Sequence, residues 1–116
     1  MIINLLNYYA SVDGSSDFNV SSNITVTFSE DMTSSTINSS TFIVKDEMNN
    51  VVSGSYSYDP STKTATFNPS QVLVGSLGYT VTVTTGVEDS NGNPMESQFT
   101  SSFSTAPSTV GWVFMI

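Results

Sequence analysis

Short stretches in which apolar and polar residues alternate one for one constrain this chain more than any other feature. Residues 24–28 read ITVTF, so Ile24, Val26 and Phe28 fall on one face and Thr25 and Thr27 on the other. A period of 2 marks a half-buried strand, because successive side chains point to opposite sides of a sheet. Residues 41–44 (TFIV) form a second short run. In residues 51–58 (VVSGSYSY), Val52, Gly54, Tyr56 and Tyr58 share a face. Asp59-Pro60-Ser61-Thr62 then supplies turn chemistry before residues 64–67 (TATF) return as a hairpin partner. Residues 79–83 (YTVTV) turn Tyr79, Val81 and Val83 inward, and residues 99–103 (FTSSF) do the same with two phenylalanines. Between these last two strands, Asn91-Gly92 suits the positive φ angles of a tight turn. Residues 30–40 read as a long sheet-to-sheet connection with one helical turn, anchored by Met32 and Ile37; residues 68–76 read as a loop pinned by Leu73. Strands of about 5 residues, with turn signals roughly every 8–15, predict an all-β sandwich in a single domain.

Composition narrows what such a sandwich can do. Seven Phe, five Tyr and one Trp within a 38% hydrophobic chain of 116 residues provide a core that disordered chains lack. There is no cysteine, hence neither a disulfide nor a thiolate metal site. Ten acidic residues face only Lys45 and Lys63, and the net charge is −8. Nucleic acid is excluded as a partner, since displacing phosphate counterions needs Lys or Arg. An anionic membrane surface would repel the chain, and no run of 18 apolar residues is present to insert into a bilayer. The opening MIINLL has no cationic n-region of a secretory signal. A signal removed upstream, an added Met, or a protein never secreted by that route all fit; the last would suit a virion protein.

In this order the motifs resemble the bacterial Ig-like domains of S-layer and multidomain cell-surface proteins. The elements that carry the resemblance are Asp13-Gly14, residues 26–32 (VTFSEDM), 40–44 (STFIV) and 58–69 (YDPSTKTATFNP), followed by 77–83 (LGYTVTV), 89–95 (DSNGNPM) and Phe103-Ser104-Thr105. Two features depart from the pattern: Ser11-Val12 stand where a proline usually precedes the first turn, and an apolar tail follows Thr105. The resemblance implies an immunoglobulin-like β-sandwich of about seven antiparallel strands with apolar terminal extensions. The domain itself would span residues 1–105, with 106–116 as the extension. The resemblance further implies a structural or adhesive role, outside the cell or on its surface, and no shared catalysis.

The residues themselves argue in the same direction. With no His and no Cys, the usual bases and activated nucleophiles are missing, and no catalytic residue is expected. A Ser–Lys pair would need Lys45 or Lys63, both read as exposed lysines in or beside turns. Glu30 and Asp31 are sequence neighbours that point to opposite sides, a poor arrangement for paired acid–base work. Asp89, Asn91 and Asn93 have the i, i+2, i+4 spacing of oxygen ligands that opens many Ca²⁺ loops. The plainer reading is a structural turn, because Asp and Asn bond their own backbone and no glutamate follows at the required distance. Calcium is therefore a weak expectation, with Glu30 or Asp31 as completing ligands, and no other cofactor is expected. Carbohydrate binding would need exposed aromatics among Tyr8, Tyr9, Tyr56, Tyr58 and Trp112, yet Tyr56 and Tyr58 fall on the inward face. Asn19, Asn23 and Asn38 each begin an N-x-S/T sequon, which matters only in a host that glycosylates.

The tail is the feature least expected of a free-standing domain. Residues 110–116 read VGWVFMI, with Trp112, Phe114 and Ile116 on one face of an extended segment and Val113 and Met115 on the other. Such a strand requires cover on both faces and is an aggregation hazard in water. It could fold back on its own domain, add to a neighbouring subunit, or belong to a longer chain; Ile2, Ile3, Leu5 and Leu6 raise the same question at the other terminus. The expected partner is another protein, a homo-oligomer or a larger surface assembly. The competing expectation is a ligand-binding or spacer module of a secreted multidomain protein.

Overall fold

The computed structural model describes residues 9–10 and 18–107. Seven strands run in chain order: β1 (Tyr9–Ala10), β2 (Ile24–Thr27), β3 (Phe42–Asp46), β4 (Gly54–Asp59), β5 (Thr64–Pro69), β6 (Gly78–Val83) and β7 (Phe99–Ser104). They form a four-stranded sheet in the order β1-β2-β5-β4 and a three-stranded sheet in the order β3-β6-β7. Every ladder is antiparallel. Relabelled A to G in chain order, the sheets are ABED and CFG, the strand arrangement of a constant-type immunoglobulin domain. Asp13-Gly14, the apolar residues before Tyr9 and the whole segment 110–116 lie outside the described residues.

Alternation explains the core. β2, β5 and β6 bury every second residue, and so does the first half of β3. Ile24, Val26, Phe42, Val44, Ala65, Phe67 and Val81 are completely enclosed, as alternate residues must be when two sheets pack face to face. Phe42, Tyr56 and Phe67 form one aromatic group, with ring centroids 5.1–6.0 Å apart. Phe18, Phe103 and Tyr79 form a second, Phe103 meeting Phe18 edge-on at 4.8 Å and stacking on Tyr79 at 5.5 Å. Tyr79, at the start of β6, accepts a hydrogen bond from the Val74 N–H at 2.9 Å. That is the tyrosine corner of immunoglobulin-like folds, closing the β5–β6 connection onto the sheet.

The connections follow the sequence reading with local differences. The β2–β3 link contains one 3₁₀ turn, Ser34–Thr36, held down by buried Met32 and Ile37. Leu73 pins the β5–β6 loop, as expected, but β5 runs on to Pro69 because Asn68 and Pro69 still pair with Ser55 and Gly54. Pro is tolerated at that strand end. In the β6–β7 loop only Gly92 takes a positive φ, of 84°. Asn91 stays in an ordinary conformation because its N–H bonds the Asp89 carboxylate at 2.9 Å. Among the described residues the left-handed non-glycine positions are Asn49, Lys63 and Ser76.

Strand direction gives the molecule two poles. The β2–β3, β4–β5 and β6–β7 connections gather at the first, while β3–β4 and β5–β6 gather at the second. The chain starts β1 at the first pole, where Tyr9 lies opposite Thr27. It leaves at the second, where Ala106 donates to the Phe18 carbonyl at 2.9 Å and accepts from the Ser76 N–H at 3.2 Å. Phe18 pairs in parallel with Thr105, so the segment after β1 has passed to the other sheet by that point.

Candidate functional site

Asp89 sits on the first pole, bridged to Met32 across the β2–β3 connection. Its side chain is nearly enclosed, and all of its acceptor capacity faces its own turn. Oδ1 accepts the Asn91 and Asn93 N–H groups, each at 2.9 Å, and Oδ2 accepts the Asn93 amide at 3.3 Å. The Asn93 N–H above all holds this carboxyl below the usual carboxylate range. The i, i+2, i+4 spacing forms an Asx turn here, in which the Asp89 carboxylate gathers the Asn91 and Asn93 donors. Among the described residues no group of three or more acidic side chains converges on a metal-sized site. Asp31 is nearby, as the calcium reading required, since its carbonyl accepts the Ser90 N–H at 2.9 Å. Its carboxylate, however, accepts the Tyr58 hydroxyl at 2.7 Å.

The two tyrosines of β4 are structural. Tyr56 donates to the Phe42 carbonyl at 2.8 Å and has its ring against Phe42 and Phe67. Tyr58 donates to Asp31 and accepts the Met32 N–H at 2.8 Å, tying β4 to the opposite loop. Burial first, and the Asp31 bond second, push this phenol up to about 12. A groove of ≈ 240 Å³ lined by Ser34, Ser35, Ile37 and Ser57 runs beside these rings. Tyr8 and Trp112 lie outside the described residues, and so do the side-chain surroundings of Tyr9.

Among the described residues no Ser–Lys pair is brought together. Lys63 directs its ammonium to the Ser29 carbonyl at 3.5 Å rather than to the Ser29 hydroxyl, which is buried without a partner. Lys45 is a β3 residue opposite Thr80 and bridged to Val51. The sequons differ in availability. Asn19 and Asn23 are exposed. Asn38 is half-buried, with its amide nitrogen donating to the Ser35 carbonyl at 3.2 Å.

The second pole carries a surface that the motif reading passed over. Met48, Val51, Val72 and Val74 are exposed at 65, 63, 68 and 60%. Val51 and Val72 line a groove of ≈ 350 Å³ together with Val52, Ser53, Ser70, Gln71, Leu73 and Tyr79. Alternation was the available signal: in residues 71–74 (QVLV) Leu73 points inward, so Val72 and Val74 must point out. Beside the groove, Thr105 is almost fully enclosed. Its hydroxyl donates to the Val74 carbonyl at 2.6 Å and accepts the Leu77 N–H at 3.0 Å.

Seven antiparallel strands in the ABED and CFG arrangement, closed by a tyrosine corner, define an immunoglobulin-like sandwich. The chain belongs to the bacterial Ig-like domain family, whose model matches residues 7–105. Among solved structures it is similar to the S-layer protein rSbsC(31–844), with 24% identity over 82% of this chain and a TM-score of 0.63. It is also similar to E. coli α2-macroglobulin, with 15% identity over 87% of this chain and a TM-score of 0.65. CopC from Methylosinus trichosporium OB3b gives 16% identity over 85% of this chain and 90% of its own, with a TM-score of 0.60. The chain spans only 13% of the S-layer protein and 6% of the macroglobulin. A search of curated protein sequences finds no match. The family is a non-enzymatic kind of fold, in keeping with the absence of His and Cys.

Proposed function

We propose that this domain is a non-catalytic structural link in an extracellular, surface-attached protein assembly, meeting its neighbours at the two poles through its apolar terminal segments. The observation that carries the reading is the separation of the chain's two ends. Tyr9 lies at one pole beside Thr27, and Ala106 leaves from the other beside Ser76. A domain threaded from pole to pole transmits position and tension along its strands and places both neighbours on its long axis. The likeness to domains of an S-layer protein supports the same setting, and an acidic, Ser/Thr-rich exterior keeps such a link soluble. The virion setting gains no support from these likenesses. Mass by light scattering on the full chain, beside a chain ending at Pro107 that keeps every contact described above, tests the reading. Association of the full chain that is lost on shortening is the expected result. Two monomers, each at its own chain mass, would sink association through the tail and leave a plain spacer.

A further inference from the structure

We infer that Asn91 is a covalent modification site, at which the Gly92 backbone nitrogen displaces the side-chain amide, and that the turn closed by Asp89 restrains this reaction in the folded domain. The inference stands apart from the reading above: it concerns the chemistry of the first pole and needs no partner. Sequence, exposure and hydrogen bonding carry it.

Asparagine is a thermolabile residue, and the residue that follows it decides where the lability lies. A backbone nitrogen can attack the preceding side-chain amide only when it has a proton to lose and room to approach. Asn68 and Asn93 precede proline, which has no N–H. Every remaining asparagine except Asn91 precedes a residue whose side chain crowds the approach; Asn91-Gly92 is the only Asn–Gly pair in the chain. Both residues are exposed, and a Cβ built on Gly92 would meet nothing within 4 Å, so water reaches this peptide. In the reaction water takes the Gly92 N–H proton, the nitrogen bonds to Cγ of Asn91, and the amide nitrogen leaves as ammonia. Water then opens the cyclic imide at either carbonyl, which places aspartate or its β-linked isomer at position 91. The balance needs only water.

The structure restrains the first step at the nitrogen. The Gly92 N–H donates to the Asp89 carbonyl at 2.9 Å, the closing bond of a β-turn, so the proton that must be lost is engaged. The Asp89 carboxylate accepts the N–H groups of Asn91 and Asn93, each at 2.9 Å, and fixes the backbone on both sides of the reacting peptide. Neighbouring residues anchor the turn as well: the Thr33 hydroxyl donates to the Asp89 carbonyl at 2.8 Å and the Ser90 N–H to the Asp31 carbonyl at 2.9 Å. Attack therefore waits for a local opening that breaks these bonds, and its rate follows the population of the open turn. Conversion adds a carboxylate beside Asp89. The β-linked isomer also lengthens the backbone between the two N–H groups that share Asp89 Oδ1, which disturbs the spacing that lets both reach one oxygen.

The experiment incubates the full chain at mildly alkaline pH beside a full-chain Asp89→Ala variant, each with and without urea, and follows Asn91 by peptide mapping and mass spectrometry. The exchange of amide for acid is read as a mass gain of the peptide that holds Asn91. Asn38-Ser39, whose amide is bonded to the Ser35 carbonyl, serves as the internal reference for loss of the whole fold. The expected result is slow conversion in the folded parent and conversion at least roughly tenfold faster in the variant, since bonds to a charged acceptor are lost. Asn38 should stay unchanged in both, and the two chains should convert Asn91 equally fast in urea. If Asp89→Ala unfolds outright, Asn38 accelerates with it; Thr33→Val, which removes one anchoring bond of the turn, then takes its place with a smaller gain in rate. A parent that converts as fast folded as in urea would overturn the restraint, and a folded variant no faster than the parent would overturn the part given to Asp89. Failure of Asn91 to convert in urea would overturn the site itself.

Discussion

Replacing Thr105 by Val isolates the bonds that fasten the end of β7 to the β5–β6 loop. The two side chains have nearly the same shape, so the change exchanges a hydroxyl for a methyl in a site that is only 3% exposed. Two groups lose their partner: the Val74 carbonyl, bonded at 2.6 Å, and the Leu77 N–H, bonded at 3.0 Å. An orphaned buried donor or acceptor costs about 1–3 kcal/mol. The loop is partly open to water, which places each loss near the lower end and the sum at about 2–3 kcal/mol. For a domain of this size that lowers Tm by roughly 8–12 °C. Thr105→Ser is the matched control: it keeps both bonds, removes one methyl, and should cost about 0.5–1.5 kcal/mol. Urea unfolding followed by far-UV circular dichroism gives both values, with an unchanged m confirming that only stability moved. If the Val variant proves as stable as the Ser variant or more so, the methyl's packing and not the hydroxyl bonds holds the corner, and the reasoning fails.

Three further outcomes are expected. Gly54→Ala would place its Cβ 2.4 Å from the Asn68 carbonyl oxygen and 2.6 Å from Cζ of Phe67. Both neighbours are fixed by the β4–β5 ladder and the core, so a loss of at least about 2 kcal/mol should be read as a fall in Tm. Asp46, Asp59 and Asp89 all have carboxyls held below their ordinary range, chiefly by the Asn50 N–H, the Ser61 hydroxyl and the Asn93 N–H respectively. The unfolded chain therefore binds protons first. Stability is fully present above about pH 4 and is lost as pH falls through the depressed folded values; a Tm series should show this, with Asp89→Asn flattening the slope. Tyr58 behaves in the opposite sense: with its phenol pushed up to about 12, its contribution is present below the ordinary tyrosine value and is lost as pH rises toward 12. Tyrosinate absorbance should show a late-titrating component that moves earlier in Asp31→Asn.

Most of the sandwich was legible because its strands bury one face each. Ile24, Val26, Val81 and Val83 could be placed in the core from alternation alone, and Met32 and Ile37 could be named as loop anchors because each is a lone apolar residue in a polar stretch. What alternation does not carry is partner choice. The pairing of Phe18 with Thr105 joins residues far apart in sequence, and nothing local announces it. Left-handed backbone at Lys63 and Asn49 was equally hidden. Lys63 closes the β4–β5 turn after Asp59 has gathered the Ser61 N–H and hydroxyl, and Asn49 follows the same arrangement around Asp46. In both cases an aspartate two to four residues upstream sets the geometry, and the strained residue is incidental. At Asp89 the spacing that suggests calcium also describes an Asx turn, and only the directions of the N–H groups separate the two.

The edges of the two sheets bear on why the poles are the natural places for association. A sheet edge with free backbone groups invites another strand, and sandwiches that remain soluble blunt theirs. The outer side of β3 is occupied by its own connection, with Asp46 donating to the Asn50 carbonyl at 2.9 Å and Val52 to the Val44 carbonyl at 2.8 Å. Beside the end of β7, Phe18 donates to the Ser104 carbonyl at 3.1 Å and accepts from Ala106. In the other sheet the described part of β1 is two residues long, and β4 presents exposed Ser55, Ser57 and Asp59 before the Pro60 turn. Among the described residues, the outer side of β3 and the end of β7 are thus filled, and β4 carries polar exposed side chains. The exposed valines instead cluster at the second pole, where no strand edge is offered and where the apolar segment leaves. On the proposed reading, contact with neighbours would be made by side-chain burial at the ends of the strands, which would fix distance along the axis without committing the sheets to open-ended stacking.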